Sequence, residues 1–166
     1  MLEVIVAILT ITAFLTGTLQ LMAFTALYKV RSERQAKANF WIQEDFEDVK
    51  YIASTLDVNS SPANPNVSED VCTNINQGYA TALRRQLTAP ITPIPTEQLV
   101  ATRTIVGKNY SLYRTFNITS ANPHRLRIDY RVQLATGQIA DDYQNQENVI
   151  ARSSVEVIPD ASFKCP

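Results

Sequence analysis

No charged residue occurs between Val4 and Tyr28. That absence excludes an ordinary solvated helix. At about 1.5 Å per residue the stretch outreaches the roughly 30 Å hydrocarbon core of a bilayer. No basic residue stands ahead of it in the sequence, and no A-x-A site follows it. An uncleaved anchor is therefore expected rather than a cleaved signal peptide.

Other shortages narrow the function classes. Histidine occurs once, as His124, and cysteine twice, as Cys72 and Cys165. With no CxxC pair and no His/Cys cluster, a zinc site is not expected. No Gly-rich phosphate loop, HExxH, GxSxG or paired catalytic carboxylate stands out, so neither an enzyme nor a cofactor is expected. The net charge of −1 provides no basic field for gripping nucleic acid, and no direct nucleic-acid site is evident. Asp141-Asp142 offer too few placed oxygen ligands for calcium. His124, in an expected turn at Asn122-Pro123-His124, reads as a lone surface histidine.

What is present falls into three parts: a transmembrane or helix-core segment over 1–28, an amphipathic stem over 29–58, and a globular head over 59–166. The anchor is not uniform. Glu3 stands at its start, where a carboxylate near lipid needs a partner. Thr12, Thr16 and Gln20 share a helical face, and Ala13 and Gly17 form a small-xxx-small pair that admits a second helix. Threonine hydroxyls can instead bond their own helix's carbonyls. Helix packing through Ala13, Thr16, Gly17 and Gln20 is the expectation, because Glu3 and Gln20 both call for protein neighbours.

No proline or glycine interrupts Thr18 to Asn59, so the helix is expected to continue to about Leu56. Ile42, Phe46, Val49, Ala53 and Leu56 form one apolar stripe, widened by Trp41 and Ile52, that should lie against the head. Lys29, Arg31, Arg34 and Lys37 form a basic band, and Glu44, Asp45, Glu47 and Asp48 an acidic one. They read as a solvated face or as complementary bands on neighbouring stems.

Asn59 to Asn66 is a turn-rich end to the stem. A second helix is expected from about Asn66 or Ser68, with Glu69 and Asp70 in its first turn. Val71, Ile75, Tyr79, Leu83 and Leu87 would form its buried face, weakened somewhat by Gly78. Pro90, Pro93 and Pro95 force an extended connector.

Strands follow. Leu99 to Val106 precedes a turn at Gly107-Lys108-Asn109. Tyr110, Leu112, Phe116 and Ile118 share a parity in which Arg114 is the exception. Leu126, Ile128, Tyr130, Val132 and Leu134 alternate with charged or polar residues, and should face Ile42, Phe46, Val49 and Leu56. Val149, Ala151, Val155 and Val157 suggest a last strand after a polar loop over 135–148. The fold class is α+β: a long N-terminal helix on an antiparallel sheet of about four strands, with a second helix.

Leu2-Glu3-Val4-Ile5-Val6-Ala7-Ile8-Leu9 resembles the mature N-terminus of type IV pilins and type II secretion pseudopilins. In that family a basic leader ends in glycine, and a phenylalanine, Thr-x-x-Glu and an apolar helix follow. Glu3 falls on the family's glutamate; the leader, its glycine, the phenylalanine and the threonine have no counterpart here. Arg34, Ala38, Trp41, Ile42 and Asp45 to Asp48 look like the stem of minor pilins and minor pseudopilins. The resemblance covers residues 1 to about 56, and the head agrees in layout.

It implies a pilin-like fold and a structural, minor subunit of a pilus or pseudopilus. Such a chain is held in the bacterial inner membrane with its head outside the cytoplasm. Implied partners are other pilin subunits through the N-terminal helix, an inner-membrane assembly platform, and a prepilin peptidase where a leader exists. Glu3 would pair with a neighbour's N-terminal amine. The basic band after the span would by itself favour a cytoplasmic head; in the family the leader fixes the opposite orientation. With the head exported, a Cys72–Cys165 disulfide is expected, whereas a cytoplasmic head would keep two thiols. A single-pass anchored binding or sensory domain that never polymerises is the alternative, and a membrane-tethered enzyme the third.

Overall fold

The computed structural model describes residues 2–57, 59, 64–140 and 146–165. Asp141 and Asp142, and much of the two polar loops expected above, lie outside them. The chain opens with a single α-helix, α1 (Leu2–Thr55), of 54 residues. At about 1.5 Å per residue it runs for about 80 Å. From residue 2 to residue 29 every position except Thr18 is exposed; from Arg34 onward one stripe is buried. That stripe includes Ile42, Val49, Ala53 and Leu56 as expected, with Phe46 only partly covered, and it extends back through Trp41 and Ala38 to Arg34.

Four strands form one antiparallel sheet in the order β1-β2-β3-β4: β1 (Glu97–Ile105), β2 (Lys108–Thr119), β3 (Asn122–Leu134) and β4 (Val149–Val157). The Leu126, Ile128, Tyr130, Val132 and Leu134 parity of β3 is buried, and joins the stem stripe in one core. The covering differs in detail from expectation. Helix α2 (Tyr79–Thr88) lies over β3, while α1 runs chiefly against β4. The opposite face of the sheet carries no helix in the described residues.

The second helix is shorter than its periodicity predicts. Residues 65–73 form turns, Ile75–Gln77 a 3-10 turn capped by the Asn74 side chain, and α2 begins only at Tyr79. Ile75, on the supposed buried face, is 57% exposed. The reason lies in a close approach. A Cβ on Gly78 would stand 2.2 Å from the Pro123 carbonyl oxygen, so only glycine lets this backbone touch the start of β3. Gly78 is therefore the cap and contact point of α2 rather than a weakness within it. Arg84 then ties the proline-rich connector to α2 through the Pro95 and Ile94 carbonyls at 3.0 and 2.8 Å.

The β1–β2 turn also shifts. Ile105 pairs with Lys108, leaving Val106-Gly107 as a two-residue loop with φ of 44° and 79°. A type I′ turn needs positive φ at both positions, which glycine supplies freely and valine only with strain. The Val106 carbonyl accepts a hydrogen bond from Arg34 Nη2 at 3.1 Å, linking stem to hairpin. Asn122-Pro123-His124 is not a turn but the first residues of β3.

Candidate assembly surface

The joint between stem and head is built from charges that the sequence set apart as bands. Asp45 and Arg114 are both buried, and form a two-pronged pair with Nε–Oδ2 at 2.7 Å and Nη2–Oδ1 at 2.5 Å. Arg114 breaks the apolar parity of β2 because its partner comes from α1. Tyr130 is buried beside the pair; burial first, then the Asp45 charge, push its phenol far above the ordinary 10.0. At the neighbouring position of α1, Glu44 is bound by Arg103 of β1 at 2.6 Å, and the Arg103 guanidinium lies 5.0 Å from the centre of the buried Trp41 ring. This bond holds Glu44 below the usual carboxylate range and raises Arg103.

Neither expectation for the two bands therefore holds as a whole. Arg34, Glu44 and Asp45 bind the head of the same chain. Lys37 pairs with Glu33 at 2.8 Å and Lys50 with Glu47 at 2.7 Å along the helix. Lys29 and Asp48 stay on the surface. A linear sequence carried no sign of the pairings between stem and head, such as that of Asp45 with Arg114.

A second fastening lies at the far end of the stem. Cys72 and Cys165 form a disulfide with Cα atoms 5.3 Å apart. Beside it Lys164 Nζ reaches Asp57 at 2.8 Å, which lowers the Asp57 carboxyl and raises the Lys164 amine. The C-terminal 3-10 turn, Asp160–Lys164, is thus tied to the end of α1 and to the turns that follow it. His124 is not the lone surface side chain expected. It is half-buried, accepts the Tyr79 N–H on Nδ1 at 3.3 Å, and so helps to cap α2.

The remaining surface is the apolar half of α1, long and apolar enough to cross a membrane. Glu3 is exposed in its first turn. Ala13, Thr16, Gly17 and Gln20 share one uncovered face, and nothing lies within 4 Å of where a Gly17 Cβ would be. The hydroxyls of Thr10, Thr12, Thr16, Thr18 and Thr25 donate to carbonyls four residues earlier in the helix. The threonines thus satisfy themselves, as the simpler of the two readings held. In a medium without water such internal bonds keep a hydroxyl from being orphaned. Glu3 and Gln20 remain as the polar side chains of this half that call for a neighbour.

Among the described residues no group of three or more His, Cys, Asp or Glu side chains is placed to hold a metal. In comparisons with known proteins, the chain matches no family model, no curated protein and no solved structure.

Proposed function

We propose that the chain is a structural subunit of a type IV pilus or related secretion filament, in a minor position. Before assembly its N-terminal helix would hold it in the inner membrane with the head on the far side from the cytoplasm. The observation that carries this reading is the unbroken α1. Its apolar half is bare from residue 2 to residue 29, while its other half is clamped to the head by buried charge and apolar packing. A bare apolar helix needs lipid or other helices around it. Because the same rigid rod enters the head, exchanging lipid for neighbouring helices would move the head as one body into a filament.

The N-terminal residues supply the second support. Glu3 is a carboxylate at the edge of that rod, and a neighbour's N-terminal amine is the partner that the pilin resemblance suggests. Ala13 and Gly17 leave a shallow place for a neighbouring helix.

The test is to tag the chain at its C-terminus in its own host, shear filaments from the cells, and identify their components by mass spectrometry. Recovery of the chain in the filament fraction, lost when the assembly machinery is disabled, supports the reading. Recovery solely in the membrane fraction supports the non-polymerising anchored domain.

A further inference from the structure

We propose that the helix-free face of the sheet is a binding site for an acidic polypeptide segment, held by Arg131 and Arg152. The strand register lines up one row across all four strands: Leu99 pairs with Tyr113, Tyr113 with Arg131, and Arg131 with Arg152. Strands lie about 4.8 Å apart, so the row is about 14 Å long. One end is apolar, with Leu99 52% exposed, and the other carries two guanidiniums. The Arg131 guanidinium lies 5.2 Å from the centre of the Tyr113 ring, so apolar surface runs straight into positive charge.

Two like charges directly opposite each other on one sheet face destabilise the sheet. The other charges on the face relieve this pair only in part, since Glu97 binds Arg131 at 3.2 Å while no carboxylate reaches Arg152 among the described residues. Asp129 is taken by Ser154, Arg127 and Asn117, and Glu156 by Arg125. Glu97 accepts from Arg131 and from Thr115. Arg152 is exposed and makes no ion pair or hydrogen bond among the described residues. Arg131 Nε is buried without a hydrogen-bond partner there, while the Arg131 side chain as a whole is 39% exposed. The face therefore sets four guanidiniums (Arg125, Arg127, Arg131 and Arg152) against three engaged carboxylates, with Arg152, which none of the three engages, at one end of the row. A groove runs along that end, between Thr115, Asp129 and Ser154.

A carboxylate between Arg131 and Arg152 would turn the repulsion into two charge-assisted contacts. Its carrier also has to cover Tyr113 and Leu99, about 7 Å and about 12 Å away along the row. In an extended chain, residues i and i+2 point the same way about 6.7 Å apart. An extended segment crossing the strands, with an acidic residue two positions from an apolar one, fits both halves. Both helices lie on the other side of the sheet, so neither covers this face.

The test uses the full chain in a non-ionic detergent and a fluorescein-labelled octapeptide of repeating Leu-Ser-Glu-Ser, which sets Leu and Glu two positions apart on one face, read by anisotropy. Saturable binding that weakens as salt rises is expected. Arg152→Gln should weaken it by at least about tenfold, the loss of one charged contact. The Arg152→Gln chain should melt no lower than the parent, because a repulsion has been removed. Binding to the same octapeptide with Gln in place of each Glu should be weaker by a similar factor. Equal affinity of parent and Arg152→Gln would overturn the proposal, as would absent binding or a lowered melting temperature. Binding of a polyuronate such as alginate in place of the octapeptide would overturn the assignment to a polypeptide.

Discussion

Arg114 of β2 grips Asp45 of α1 through both nitrogens of one guanidinium edge, with each side chain less than a tenth exposed. Removing one partner strands the other charge in the core. Asp45→Leu and Arg114→Met should each cost about 3–5 kcal/mol. Replacing both, as Asp45→Leu with Arg114→Met, should recover most of that loss. Urea unfolding of the four chains of this cycle reads the coupling; additive losses in the double variant would show that the pair is not a unit.

The apolar alternation of β3 and the stripe from Ile42 to Leu56 were legible in the sequence because burial on one side writes a local period. The partner of Arg114 was not legible, since a pairing across sixty-nine positions leaves no local mark. The onset of α2 was misread for a similar reason. Val71 and Tyr79 are both buried, which mimics a helical face. Yet Val71 is buried from a turn, and the helix cannot start before the backbone has passed Pro123 at Gly78. Phe46 belongs to the stripe but is only partly covered, with Lys50 Nζ 5.1 Å from the centre of its ring. Its truncation should therefore cost less than the roughly 3–5 kcal/mol of a fully buried phenylalanine.

Gly78 tests the close approach of α2 to β3. As the N-cap of α2 it lies outside the helix, where alanine offers no gain over glycine. Here the added methyl would meet the Pro123 carbonyl, so Gly78→Ala should destabilise by about 1–3 kcal/mol. A raised melting temperature would show that α2 does not press on β3 in this way.

The disulfide closes a loop with a sequence separation of 93. In the entropy model such a closure contributes on the order of 4–5 kcal/mol. Cys72→Ser with Cys165→Ser should lower the unfolding midpoint markedly and loosen Asp160–Lys164 first, because the Lys164–Asp57 pair is exposed and holds little alone. Hydrogen exchange can follow this locally; unchanged protection of 160–165 in the double variant would contradict it.

Acid should weaken the head in a defined window. Hydrogen bonds from Arg103, Lys164 and Ser154 hold the carboxyls of Glu44, Asp57 and Asp129 below their ordinary values of 4.5, 3.8 and 3.8. A depressed carboxyl contributes stability that is complete above its unfolded value and is lost as pH falls through the folded one. The melting temperature should therefore hold level from neutral pH down to about pH 5 and decline below 4.5. All three groups lie at the surface, so each contribution is small and added salt should flatten the decline. A melting temperature that already falls between about pH 7 and pH 5 would contradict this account.

Filament assembly through the anchor is tested most directly at Glu3. The carboxylate begins a helix whose surroundings are poor solvents for charge, and the helix dipole offers it less than about 1 kcal/mol. A positive partner should therefore be needed in the assembled state. Glu3→Gln, made in the chain in its own host, should leave the protein in the membrane fraction at normal yield and remove it from sheared filaments. Recovery of the variant in filaments at the parent's yield would contradict the assembly role, and would leave Glu3 as a residue resting among lipid headgroups.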